Sequence, residues 1–178
     1  GNTATTFTVG GLTTNANTTL AFNLATPGAS SVGDRIMVTG SNGLNLSGGK
    51  LAISNTNTGI PSLGYYKAIQ YSGAIGGTGS SSITMPTVVN NVAYVLDATH
   101  DAGFVDIHRG FLGDANDNGI VNFDDFLILS QNFGKAGGWS QANFLSDPTV
   151  DFNDFLVLSQ NFGKSIASGS SVATAGEL

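Results

Sequence analysis

The residues with the clearest chemical purpose are a run of twelve, Asp114-Ala115-Asn116-Asp117-Asn118-Gly119-Ile120-Val121-Asn122-Phe123-Asp124-Asp125. Counted from Asp114, side-chain oxygens fall at positions 1, 3, 5, 9 and 12, and glycine holds position 6. A hard cation such as Ca²⁺ takes about six to eight oxygens, and a short loop supplies them only at this alternating spacing, with a sharp turn at the glycine. Asp114 and Asp125 bring formal charge. Asn116, Asn118 and Asn122 bring neutral oxygens, and the main-chain carbonyl of Ile120 fills position 7. A stretch rich in Asn, Asp and Gly also favours plain turns, but five oxygen positions in register with the glycine point to calcium.

The elements that must hold this loop follow it directly. Phe123–Lys135 returns 29 positions later as Phe152–Lys164, with 11 of 13 residues identical. Each copy carries apolar residues at helical spacing: Phe126, Leu127, Leu129 and Phe133, then Phe155, Leu156, Leu158 and Phe162. Gly134 and Gly163 stand where a left-handed residue closes a helix. Neither short helix can bury an apolar face alone, so the two are expected to pack on each other. The same offset puts a second loop at Asn143–Asp154. Its position 3 is Leu145, which has no oxygen, and its position 6 is Pro148, whose φ is fixed. Asp147, Asp151 and Asp154 remain. This half is expected to keep its helix and to have weakened or lost its metal.

Two loop–helix repeats with Asp125 and Asp154 at position 12 resemble a type I dockerin across residues 113–164. The resemblance implies calcium loops without the entering helix of a full EF-hand. It also implies a cohesin domain as partner, through which secreted proteins attach to scaffolds or cell surfaces. The partner-reading positions it implies are 10 and 11, here Phe123 and Asp124, then Phe152 and Asn153. The family carries a small polar residue at position 10, where this chain has an aromatic.

The chain has 178 residues, no cysteine and only 10% charged residues. Its length suits a medium domain plus a small module. No disulfide is available, so calcium can take over part of that role. Residues 1–110 carry four acids and four bases, whereas residues 111–178 carry eight acids and two bases, so the net charge of −6 belongs to the calcium region. The absence of a basic patch argues against nucleic-acid binding. No segment reaches the ~18 apolar residues that span a membrane. Gly1-Asn-Thr-Ala reads like the start of a processed chain, and loops of this kind work at millimolar calcium. The calcium loops lead to the expectation of a secreted bacterial protein, extracellular or at the cell surface.

Residues 1–112 read as β-structure. Strands are expected near Thr3–Val9, Thr19–Leu24, Arg35–Val38, Leu44–Leu46, Leu51–Ile53, Tyr65–Tyr71, Val88–Leu96 and Phe104–His108. Turns are expected at Pro27–Gly28, Asn42–Gly43, Gly48–Gly49, Gly76–Gly77 and Ala102–Gly103. The spacing suits a β-sandwich or a β-solenoid. Leu44-Asn-Leu-Ser-Gly-Gly-Lys-Leu51 and Gly64-Tyr-Tyr-Lys-Ala-Ile-Gln-Tyr-Ser-Gly73 resemble the end of autotransporter-like β-repeat proteins, which implies a surface scaffold or adhesin.

Catalytic candidates are few. His100 and His108 are the only histidines; Asp106 and His108 would share one face of a strand, as a base held by a carboxylate requires. No nucleophile elbow, cysteine nucleophile or His-Glu-x-x-His pattern accompanies them. They read as ordinary hairpin residues. Gly73–Gly79 lacks the lysine of a phosphate loop, and Trp139 reads as core. Asn17-Thr-Thr and Asn45-Leu-Ser match the glycosylation acceptor pattern.

The reading is a mainly β, non-enzymatic secreted protein in three parts: a β-rich domain at 1–112, a calcium-binding dockerin-like module at 113–164 and a low-complexity tail at 165–178. It assembles outside the cell with copies of itself, as a fibre or adhesin. The alternative is a tethering protein that binds a cohesin-like partner and presents a carbohydrate-binding β-domain. A fragment of a polysaccharide-acting enzyme is the third choice. An extended terminus, Thr3–Val9 or Ser165–Leu178, is expected to add a strand to a neighbour's sheet edge.

Overall fold

Short alternating segments become strands, and the strands wind into a coil. The computed structural model describes residues 5–24, 33–54 and 62–166. The turn expected at Pro27–Gly28 and most of the C-terminal tail lie outside the described residues. Nine short strands come first: β1 (Thr6–Val9), β2 (Leu12–Thr13), β3 (Thr19–Phe22), β4 (Arg35–Val38), β5 (Leu44–Leu46), β6 (Gly49–Ile53), β7 (Gly64–Gln70), β8 (Gly76–Gly77) and β9 (Ile83–Thr84). They pair in parallel as β1-β4-β7, β2-β5-β8 and β3-β6-β9. Each turn of the chain thus gives one strand to each of three sheets. The domain is a three-rung β-solenoid.

The sandwich alternative is excluded, because neighbours in these sheets are a whole rung apart: Leu12 pairs with Leu44, and Leu20 with Leu51. Gly76–Gly77, expected as a turn, is strand β8, held by pairing to Asn45 and Leu46. Leu20, Phe22, Leu44, Leu46, Leu51, Ile69 and Ile83 stack inside the coil. Their burial drives the winding, at roughly 25 cal/mol per Å² of apolar surface.

An antiparallel hairpin, β10 (Val92–Asp97) and β11 (Phe104–Phe111), adds to the first sheet, giving the order β1-β4-β7-β11-β10. Side chains alternate across it. Leu96, Val105 and Ile107 complete the solenoid core. Ala93, Val95 and Phe111 belong to a second core, together with Ala115, Val121, Leu129, Trp139, Phe144, Val150 and Leu158. The C-terminal region therefore packs on the back of the hairpin, and one core runs across residues 112 and 113.

Two helices, α1 (Phe123–Asn132) and α2 (Phe152–Asn161), are begun in the same way. The Asn122 side chain accepts from Asp124 N at 2.7 Å while Asp125 accepts from Asn122 N at 2.9 Å. Asp151 and Asp154 repeat both bonds, at 2.6 and 2.9 Å. These are reciprocal capping boxes. Gly134 and Gly163 close the helices with φ of 77° and 79°.

Leu129 and Leu158 are buried, and Phe126 and Phe155 pack against them in part. Leu127, Phe133, Leu156 and Phe162 were expected inside but stay exposed. Two ten-residue helices on one sheet face can cover only a single stripe of each. No helix among the described residues is long and apolar enough to cross a membrane.

Candidate metal centre

The main chain ties each loop to the opposite helix. Val121 N donates to Lys164 O and Gly163 N to Val121 O, both at 2.9 Å. Val150 N donates to Lys135 O at 2.9 Å, and Gly134 N to Val150 O at 2.8 Å. The two halves brace each other with near two-fold symmetry, each held at position 8 of its loop.

In the first loop, Asp114 and Asp125 are fully buried. Asp114 accepts from Gly119 N at 2.7 Å and Asn118 N at 3.1 Å. Asp125 accepts from Ala115 N at 2.8 Å, Asn116 N at 3.3 Å and Asn122 N. Asn116 accepts from Asn118 N at 3.1 Å, and Asn118 from Ile120 N at 2.9 Å. Every expected side-chain ligand thus accepts at least one main-chain bond. A carboxylate has about four lone-pair positions and an amide oxygen two, so each retains capacity for a cation. Gly119 takes φ 84°, the left-handed turn that brings its N–H onto Asp114. Burial pushes the Asp114 carboxyl up to about 6, and the Asp125 and Asp117 charges push the same way, against the donors Gly119 and Asn118. A buried site that penalises its own negative charge is suited to a divalent cation.

The second loop differs at its two odd residues. Pro148 has no N–H, so position 1 cannot receive the bond that Gly119 makes. Asn143 stands there instead. Its Nδ2 donates to Asp147 O at 2.7 Å and Gly137 O at 3.1 Å. That leaves its buried Oδ1 without a partner, and the buried Oδ1 of Asp147 has none either. Carboxylate oxygens of Asp147, Asp151 and Asp154 lie within 4.8 Å of one another. Burial raises the Asp147 and Asp154 carboxyls above their ordinary value. Sequence reasoning expected little here, yet three carboxylates converge where the first loop has two. The first loop fits calcium by its complete oxygen set. The second offers more charge on fewer ligands.

Two anchors fasten the loops to the hairpin, and the sequence did not disclose them. Asp117, at loop position 4, lies 2.9 Å from Nε2 of the fully buried His108. Asp106 and His108 do not form a carboxylate–base pair: both oxygens of Asp106 are without a hydrogen-bond partner, and His108 pairs with Asp117 instead. Trp139 is buried as expected, and it is shared: its Nε1 donates to Asp114 O at 2.7 Å and its main-chain N to Asp97 Oδ2 at 3.3 Å. Its ring lies 4.5 Å from His108 and 5.1 Å edge-on to Phe144. Gly110 makes room for it, since a Cβ there would collide with the Trp139 and His108 rings. A lone glycine inside an apolar strand was the available signal for such a close approach.

Beside the loops stand two matching exposed faces. Phe123 and Leu127 lie on α1 with Phe133 at its C-terminal cap, and Phe152 and Leu156 lie on α2 with Phe162 at its cap. The Phe123–Phe126 and Phe152–Phe155 ring pairs share a 5.7 Å separation.

Against known proteins, no family model and no curated protein matches the chain. Among solved structures, a type II cohesin-dockerin domain from Bacteroides cellolosolvens is similar, with 38% identity and a TM-score of 0.29, over 32% of this chain and 90% of that one. None of these comparisons supports the autotransporter-like resemblance.

Proposed function

We propose that the chain is a secreted, non-catalytic tethering protein. Its C-terminal loop–helix pair binds calcium and docks a cohesin-like protein domain, and its β-solenoid is the presented or spacing element. The observation that carries this reading is the pair of apolar faces built on the calcium loops. Phe123 and Phe152 are 59% and 60% exposed, in equivalent places, between the loop oxygens at positions 9 and 12. Clustered exposed apolar side chains commonly mark protein–protein interaction sites, and buried aromatic anchors supply much of the energy of protein interfaces. Calcium would act indirectly, by fixing the loops that orient these faces. Calcium at extracellular concentration would keep the first loop filled. The second, lacking an oxygen at position 3, would bind more weakly.

Calorimetric titration with type I and type II cohesin domains tests this. Binding in calcium, its loss in chelator and its loss in the Phe123→Ala/Phe152→Ala double variant are expected. If no cohesin domain binds in calcium, or if binding ignores both calcium and the double substitution, the tethering reading fails.

Self-assembly stands as a second reading on a separate observation. Strand β1 ends its sheet with no partner on its outer edge among the described residues, and Phe7 there is 65% exposed. An open edge of this kind can take a strand from another chain. Sedimentation of the full chain and of one lacking residues 1–9 distinguishes the two: loss of oligomers on truncation supports assembly through β1, and a monomer in both cases removes it.

A further inference from the structure

We propose that His100, Asp101 and Asp106, at the turn end of the β10–β11 hairpin, form a site for a zinc-class divalent ion, separate from the calcium loops. One nitrogen of His100 and one oxygen from each aspartate lie within 4.8 Å of one another. The pointer to a ligand is Asp106. It is fully buried, and neither of its carboxylate oxygens has a hydrogen-bond partner. A buried carboxylate left unpaired is costly, and such groups are ordinarily paired or bound to metal. Strand β11 fixes Asp106 opposite Asp97 on one side and Lys67 on the other.

The other two ligands lie on the turn above it. The His100 ring stacks on Tyr65, with centroids 3.6 Å apart and planes 12° from parallel, which keeps it beside strand β7. Lys67 Nζ lies 2.6 Å from Asp101 Oδ2 and 4.4 Å above the Phe104 ring. Lys67 is the internal competitor: it holds Asp101 but leaves Asp106 unsatisfied. Tetrahedral zinc, with ligands at about 2.0–2.2 Å, needs donor separations of about 3.4 Å. The exposed His100 and the partly exposed Asp101 can close that gap onto the fixed Asp106 by side-chain rotation.

The donor set selects the ion. Calcium takes oxygens, whereas an imidazole with carboxylates suits zinc and its neighbours. Three protein ligands leave a fourth position for water. Two carboxylates balance the charge of the ion once Lys67 turns to solvent. None of this depends on whether the loops bind calcium.

The test is calorimetric titration of Zn²⁺ into the full chain in excess calcium, which occupies any all-oxygen site. One zinc per chain is expected. Asp106→Asn and His100→Ala are each expected to weaken it by at least about tenfold, and Lys67→Met to tighten it. His100 is exposed on a turn, so His100→Ala tests the site even if Asp106→Asn misfolds, with circular dichroism as the folding check. Cobalt(II) in place of zinc should give a visible absorption band that His100→Ala removes. No zinc uptake in excess calcium, or uptake unchanged in His100→Ala, overturns the site.

Discussion

The two loops stand on near-identical helices and solve the same problem differently. The first centres on a buried carboxylate, Asp114, which collects the N–H groups of Asn118 and Gly119. The second has Pro148 where that glycine would be, so an amide replaces the carboxylate at position 1 and braces the loop through its Nδ2. Both keep the carboxylate at position 12 that caps its helix. The difference teaches which part of the repeat the fold demands. Capping box, buried leucine and crosswise bridge are common to both, because each half is the other's support. Positions 1 and 3 are free to diverge, because neither the capping box nor the crosswise bridge is built on them.

Both loops nevertheless hang from Trp139, which bonds to Asp114 in one and touches Phe144 in the other. Trp139→Ala should therefore break the pair together, with a loss of about 3–5 kcal/mol in urea unfolding. Hydrogen exchange should rise in both loops at once; a rise in one alone would show that they are independently anchored.

Calcium removal should separate them. A ligand at a hundredfold excess over Kd stabilises the folded form by about 2.7 kcal/mol. Chelation is expected to expose the amides of 114–125 more than those of 143–154, and to leave the β-solenoid protected. Because the second core joins hairpin and helices, β10 should respond before β3 and β6 do. Equal loss of protection in all three regions contradicts this order.

Leu145→Asp sharpens the contrast by restoring the missing oxygen at position 3. Leu145 is exposed, so the fold should tolerate the change. Calcium binding at the second loop should tighten about tenfold, or about 1.4 kcal/mol, as read by calorimetry.

The smallest expected effect on stability is at the exposed faces. Phe123→Ala and Phe152→Ala should each change thermal stability by less than about 0.5 kcal/mol. If the faces are equivalent, partner affinity should fall by similar factors in the two variants; unequal losses would make one half the docking face.

Much of the C-terminal region was legible in the sequence. The first loop, both helices, their glycine stops and the burial of Trp139 all follow from local spacing. The solenoid was legible as strands and as one of two architectures, but not in its rungs. Its rungs are long and its β2, β8 and β9 are two residues each, too short to show alternation, and Gly76–Gly77 carries no apolar signal at all. The seam between hairpin and helices was hidden for another reason. His108, Asp117 and Gly110 are unremarkable in isolation and acquire a role only when two distant segments meet. Leu145 and Pro148 masked the convergence of Asp147, Asp151 and Asp154, since a loop that departs from the expected spacing can still bring its carboxylates together.

The most direct test of the account is a calcium titration of the purified chain by calorimetry, with Asp114→Ala and Asp154→Ala alongside. The account predicts one tight site and one weaker site, the tight site lost in Asp114→Ala and the weak one in Asp154→Ala. Absence of calcium binding at millimolar concentration, or a tight site that survives Asp114→Ala, would contradict it.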